Sequence, residues 1–85
     1  MRLVRIADAL ARPREEGSTV DAVRWLRDAY GERVARRAAE LDLQRLHGRK
    51  PVTDAVRGTS FALFAKRAKA GDPAALAAIR RAMAE

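Results

Sequence analysis

The stretch FALFAKRAKAGDPAALAAIRR, residues 61–81, decides how the chain is read. At its centre, Ala70-Gly71-Asp72-Pro73 sets out residues in the order in which one helix ends and the next begins. Glycine fits the left-handed position just past a helix. Aspartate accepts from free N–H groups at the following N-terminus, and proline suits the first helical position, where its missing N–H is not needed. Upstream, Phe61, Phe64, Ala65 and Ala68 recur at helical spacing, with Leu63 alongside; downstream, Leu76, Ile79 and Met83 do the same. The spacing predicts helices over 61–70 and 73–84 with these side chains turned inward.

The same reasoning extends toward the N-terminus. Thr53 can cap a short helix carrying Val56, which Gly58-Thr59-Ser60 is expected to interrupt, with Thr59 or Ser60 capping the next one. From Glu32 to His47, Val34, Ala38 and Leu41 form one row, and Ala35, Ala39, Leu43 and Leu46 form the adjacent row. Glu32 lies four residues before Arg36, the favourable orientation for an ion pair. Gly48 suits the position after that helix, and Pro51 blocks its continuation. Ser18 opens an earlier helix, with Asp21 completing a variant of the capping box. Val20, Val23, Leu26 or Arg27, and Tyr30 mark its apolar stripe, which Trp25 widens. Gly31 is expected to end it, because glycine costs about 1 kcal/mol inside a helix. Residues 12–17, bracketed by Pro13 and Gly17, read as loop. Before them Leu3, Ile6, Ala7 and Leu10 suggest a short first helix, with an extended start at 2–6 as the alternative. The expected fold is all-α: a small bundle of four to five short helices forming a single domain over residues 1–85.

Composition bounds what such a bundle does. The 85 residues are 48% apolar, but 19 of the apolar residues are alanine, which buries little area. So thin a core excludes a large enclosed site with its own cofactor, and it leaves room for a partner, a second copy in a homodimer, or a larger parent chain. Without cysteine there is no disulfide, thiolate nucleophile or zinc knuckle. The single histidine, His47, has no carboxylate cluster with which to hold a metal. Apolar runs are too short to span a membrane, and Asp8 and Arg12 break any signal-peptide core. A soluble, cytoplasmic protein is expected.

Catalytic groups are not paired in the sequence. His47 falls at a predicted helix C-terminus, where the dipole favours its cationic form, and no nucleophile is spaced to meet it. Ser18, Thr53 and Ser60 occupy cap positions, and Gly48, Gly58 and Gly71 do not form a phosphate-binding loop. The expectation is a non-enzymatic protein with no catalytic residue, metal or cofactor.

Charge carries the functional signal. Eighteen Lys and Arg face eleven Asp and Glu, a net charge of +7, and the excess lies in the last two thirds of the chain. Three clusters stand out: Arg36 and Arg37; Arg45, Arg49 and Lys50; and Lys66, Arg67 and Lys69. Guanidinium forks match phosphate bidentately and displace its counterions, so these eight residues are expected to bind DNA or RNA, provided that they converge once folded. A solvated face on an arginine-rich protein is the plainer alternative. Phe61 and Phe64, on an apolar helical stripe, read as core rather than as stacking platforms. The spacing of a helix-turn-helix around Gly31, Gly48 or Gly71 is not met. A competing expectation is a small regulator docking on a larger protein through Trp25 and Tyr30, since aromatic anchors are enriched at such interfaces.

The segment 60–81 resembles a helical segment of plasmid mobilisation relaxases and associated large plasmid proteins. Phe61, Leu63, Phe64, Ala68, Gly71, Asp72, Ala75, Leu76, Ala77, Ile79 and Arg80 occupy corresponding types in an aromatic-led helix, an Ala-x-x-Gly-Asp turn and an Ala-Leu-rich helix. The similarity covers about a quarter of the chain. It implies an accessory helical domain of a transfer or replication protein, from a plasmid or phage. It does not imply nicking, because relaxase chemistry needs a histidine cluster and a catalytic tyrosine in a nuclease domain, and this chain has one His and one Tyr.

Overall fold

The junction at 70–73 does what its residues require. Gly71 takes a φ of 89°, the Asp72 carboxylate accepts from the Ala75 N–H at 3.0 Å, and Pro73 fills the first helical turn. The computed structural model describes residues 19–85, which form four helices and no strand: α1 over 19–30, α2 over Glu32–His47, α3 over Asp54–Lys69 and α4 over Pro73–Ala84. The helix expected at 3–11, the loop at 12–17 and the Ser18 cap lie outside the described residues. Gly31 separates α1 from α2 alone, at a φ of 88° that a side chain adopts only under strain. Thr53 caps α3 as expected, its hydroxyl accepting from the Val56 N–H at 3.2 Å.

One boundary differs. Gly58-Thr59-Ser60 does not interrupt α3, which runs unbroken from Asp54 to Lys69. A single glycine costs about 1 kcal/mol in a helix, too little to outweigh the tertiary packing of the turns on either side of it.

The core is built around Leu26, Phe64 and Ile79, all essentially buried, with Val34 and Leu43 also buried, set among alanines. Ala35 and Ala38 of α2 and Ala75, Ala78 and Ala82 of α4 belong to it, and among α2, α3 and α4 the α2–α4 pair is the most extensive. Small residues let the two backbones approach closely, which places dispersion contact where long side chains would have held the helices apart. The pair runs antiparallel: Arg37, early in α2, meets Glu85 just past α4, while Asp42 and Arg45 share a depression with Ala74 and Ala78. Arg57 and Arg67 lie about 15 Å apart along α3, yet they reach Glu40 and Asp42, only two residues apart on α2.

Several side chains expected inside are outside. Val20, Leu46, Leu63 and Met83 are each more than half exposed, and Val56 is 36% exposed. On α4 the inward row is Ala75, Ala78, Ile79 and Ala82, with Leu76 half-buried, so Met83 turns away. Closeness of approach, not side-chain size, selects the buried row in an alanine-lined seam.

Candidate nucleic-acid interface

The predicted cations do not form one surface. Arg36 and Arg37 are neighbours in sequence, but a helix turns about 100° per residue and sends them to different partners. Arg36 donates to Glu32, the ion pair foreseen from the spacing, on the side where Arg27 also bonds Glu32 at 3.1 Å. Arg37 forks onto Glu85 across the α2–α4 seam, at 2.7 and 3.0 Å. Each arginine holds its carboxylate below the usual range, and bonding to Glu85 raises Arg37.

Arg45 and Arg67 meet at a group that sequence reasoning overlooked. Asp42, in α2, is 1% exposed, and it accepts from Arg45 at 3.0 Å and from both Arg67 terminal nitrogens at 2.8 and 3.2 Å. Arg67 also donates to Asp72 at 2.9 Å. One buried carboxylate and one cap thus tie α2, α3 and α4 together, leaving no buried side-chain polar atom without a partner among the described residues. The hydrogen bond to Asp42 is the main cause raising Arg67. That from Arg67, followed by the Ala75 N–H, lowers Asp72. The sequence held a signal for this node: Asp42 lies four residues after Ala38 and three after Ala39, on the inward face of α2, with Arg45 one turn further on.

The remaining four predicted residues, Arg49, Lys50, Lys66 and Lys69, are exposed and have no carboxylate partner among the described residues. Lys66 and Lys69 close α3, where positive charge complements the helix dipole. Arg49 and Lys50 occupy the turn after α2.

Two arginines outside the predicted set join the seam. Arg33 and Arg81 both act, with Arg37, on the single carboxylate of Glu85, and Arg81 lines the same shallow depression as Arg45. Arg33, Arg37 and Arg45 share one row of α2 at four-residue steps, with Leu41 between the last two. The result is an arginine-lined seam along α2 and α4 that reaches the Asp42 node and the last turn of α3.

Trp25 and Tyr30 pack edge-to-face, with ring centroids 5.8 Å apart and planes at 86°, and both rest half-buried against the core. Phe64 is fully buried, and Phe61 lies half-buried with the Arg27 guanidinium 5.2 Å from its ring centroid. The freest large apolar side chains on α2 and α3 are instead Leu46 and Leu63.

Among the described residues no group of three or more His, Cys, Asp or Glu is placed to hold a metal ion, and no helix is long and apolar enough to cross a membrane. No protein-family model, curated protein or solved structure matches the chain.

Proposed function

We propose that this chain is a non-enzymatic helical module that binds nucleic acid mainly through phosphate contacts. The observation that carries the reading is the α2–α4 seam, where Arg33 and Arg81, which make no salt bridge and share the field of Glu85, lie beside Arg37, whose pair with Glu85 is solvent-exposed, and Arg45, whose half-exposed guanidinium sits over buried Asp42. Exposed ion pairs are weak, so a phosphate can take over one fork of Arg37 from Glu85, while Arg33 and Arg81, which Glu85 holds by no salt bridge, meet it alongside the outward N–H groups of Arg45. Lys66 and Lys69 extend this positive charge at the end of α3, and Arg49 and Lys50 add to it from the α2–α3 turn. Arg36 takes no part, because it faces Glu32, and Arg67 serves the Asp42 node first.

Phosphate contact reads backbone rather than bases, so binding is sequence-tolerant and falls steeply with salt. The resemblance of residues 60–81 to helical segments of mobilisation relaxases adds a plasmid or phage setting to the proposal. The test is fluorescence anisotropy with labelled single- and double-stranded oligonucleotides across a salt series. Binding that weakens as salt rises and is indifferent to base sequence supports the reading. Absence of binding at low salt removes it.

A further inference from the structure

A groove of about 610 Å³ lies between the end of α2 and the outer flank of α3, floored by Leu46, Val56 and Leu63. Val56 and Leu63 are seven residues apart, with Thr59 and Ser60 between them, so the floor extends two turns, about 10 Å. No salt bridge or polar network accounts for leaving two leucines more than half exposed in a chain this short of large apolar residues. Positive charge predominates around the groove, against the exposed carboxylate of Asp54 beside Ala55. Arg49 and Lys50 follow at the α2 end, and Lys66 lies one turn beyond Leu63 on α3. Arg67 contributes its stem to the wall while its guanidinium is held by Asp42 and Asp72. The carboxylate nearest in sequence, Asp54, acts on Arg57, which bonds Glu40 at 2.6 Å.

We propose that this groove receives an acidic amphipathic helix from a protein partner. Apolar residues of such a helix at i, i+3 or i+4 and i+7 span the same two turns as Val56 and Leu63, and its flanking Asp or Glu side chains meet Arg49, Lys50 and Lys66. Complementary charge of this kind sets orientation and speeds encounter, while the leucines supply the contact area. A second copy of the chain fits poorly, because it would set Arg49, Lys50 and Lys66 of one protomer against their counterparts in the other. The apolar floor of this groove is distinct from the α2–α4 seam, and the proposal does not rest on the nucleic-acid reading, although both draw on Arg49, Lys50 and Lys66.

The test uses the full chain and a fluorescein-labelled synthetic peptide with leucines at that spacing and glutamates elsewhere. Controls are a scrambled peptide of equal composition and one with lysine in place of glutamate. The expected result is binding of the first peptide alone, with amide NMR shifts centred on Leu46, Val56 and Leu63. Leu46→Ser with Leu63→Ser weakens it about tenfold or more and leaves oligonucleotide affinity unchanged. Equal binding of the scrambled peptide, or no effect of the double substitution, overturns the proposal. So does a dimer in sedimentation that the double substitution dissolves, which would make a second copy the occupant. Methyl contacts from Leu3, Ile6 or Leu10 to Leu63 in the free chain would show the groove filled by the chain itself and would equally overturn it.

Discussion

Two faces of α3 treat charge in opposite ways. On one, Arg67 is drawn into a node with buried Asp42 and the Asp72 cap, and its charge is used to hold three helices together. On the other, Val56 and Leu63 lie open, and Lys66, one turn beyond Leu63, has no carboxylate partner among the described residues. A basic sequence cluster is therefore not a functional unit in itself. Within Lys66-Arg67-Lys69, one member is architectural and two are free.

That contrast is most directly broken by removing the architectural member. Arg67→Ala leaves Asp42 buried with Arg45 alone. Loss of one partner from a buried pair is strongly destabilising, tempered here by the surviving Arg45 bond and the partial exposure of Arg67, so a cost of about 2–3 kcal/mol is expected in urea unfolding. In a core this thin that is a large share of the total. A loss below about 0.5 kcal/mol, the range of ordinary surface changes, would show that the node is not structural.

A smaller effect is expected when both sides of the node become apolar. Asp42→Leu with Arg67→Met removes the buried charge together with its partner, and it should stay within about 1–2 kcal/mol of the parent, closer than Arg67→Ala alone. The same unfolding assay decides it.

Acid sharpens the comparison. Asp72, Glu32 and Glu85 have folded pKa values below their ordinary 3.8, 4.5 and 4.5, through arginine bonds in each case. Groups lowered in this way stabilise the fold above their unfolded values, and that stability is lost as pH falls through the folded ones. Thermal midpoints followed by circular dichroism should be flat from neutrality down to about pH 5 and decline below about pH 4. A decline that begins near neutrality would contradict this assignment to the three carboxylates.

The smallest change is expected at the groove. Leu63→Ser alters an exposed side chain, and its unfolding free energy should shift by no more than about 0.5 kcal/mol. A larger loss would place Leu63 in the packed interior and close the groove as a docking surface.

The fold was legible wherever backbone chemistry left one solution. Gly71-Asp72-Pro73, Thr53 and Gly31 mark ends that hydrogen bonding and φ demand, and the helices stop there. It was not legible where alanine dominates. A methyl group is neutral about burial, so Leu46 and Met83 looked as inward as the buried Leu43 and Ile79 of the same rows, and are exposed instead. Gly58 misled for a related reason, since a local penalty of about 1 kcal/mol yields to tertiary packing. The candidate site was legible as a charge excess but not as a geometry. Adjacent arginines such as Arg36 and Arg37 diverge around the helix, and Arg33, Arg37 and Arg81 converge only once α4 folds back along α2.

The central claim is that cations making no salt bridge along the α2–α4 seam and the last turn of α3 contact phosphate, whereas those bonded to Glu32 and Glu40 do not. Salt-dependent anisotropy on one duplex oligonucleotide should compare the parent chain, Arg33→Gln/Lys69→Gln/Arg81→Gln and Arg36→Gln/Arg57→Gln. Each lost phosphate contact removes about 0.9 from the logarithmic salt slope, so the triple variant should lose about 2–3 and the double variant nothing measurable. Equal losses in the two variants, or an unchanged slope in the triple one, would contradict the account.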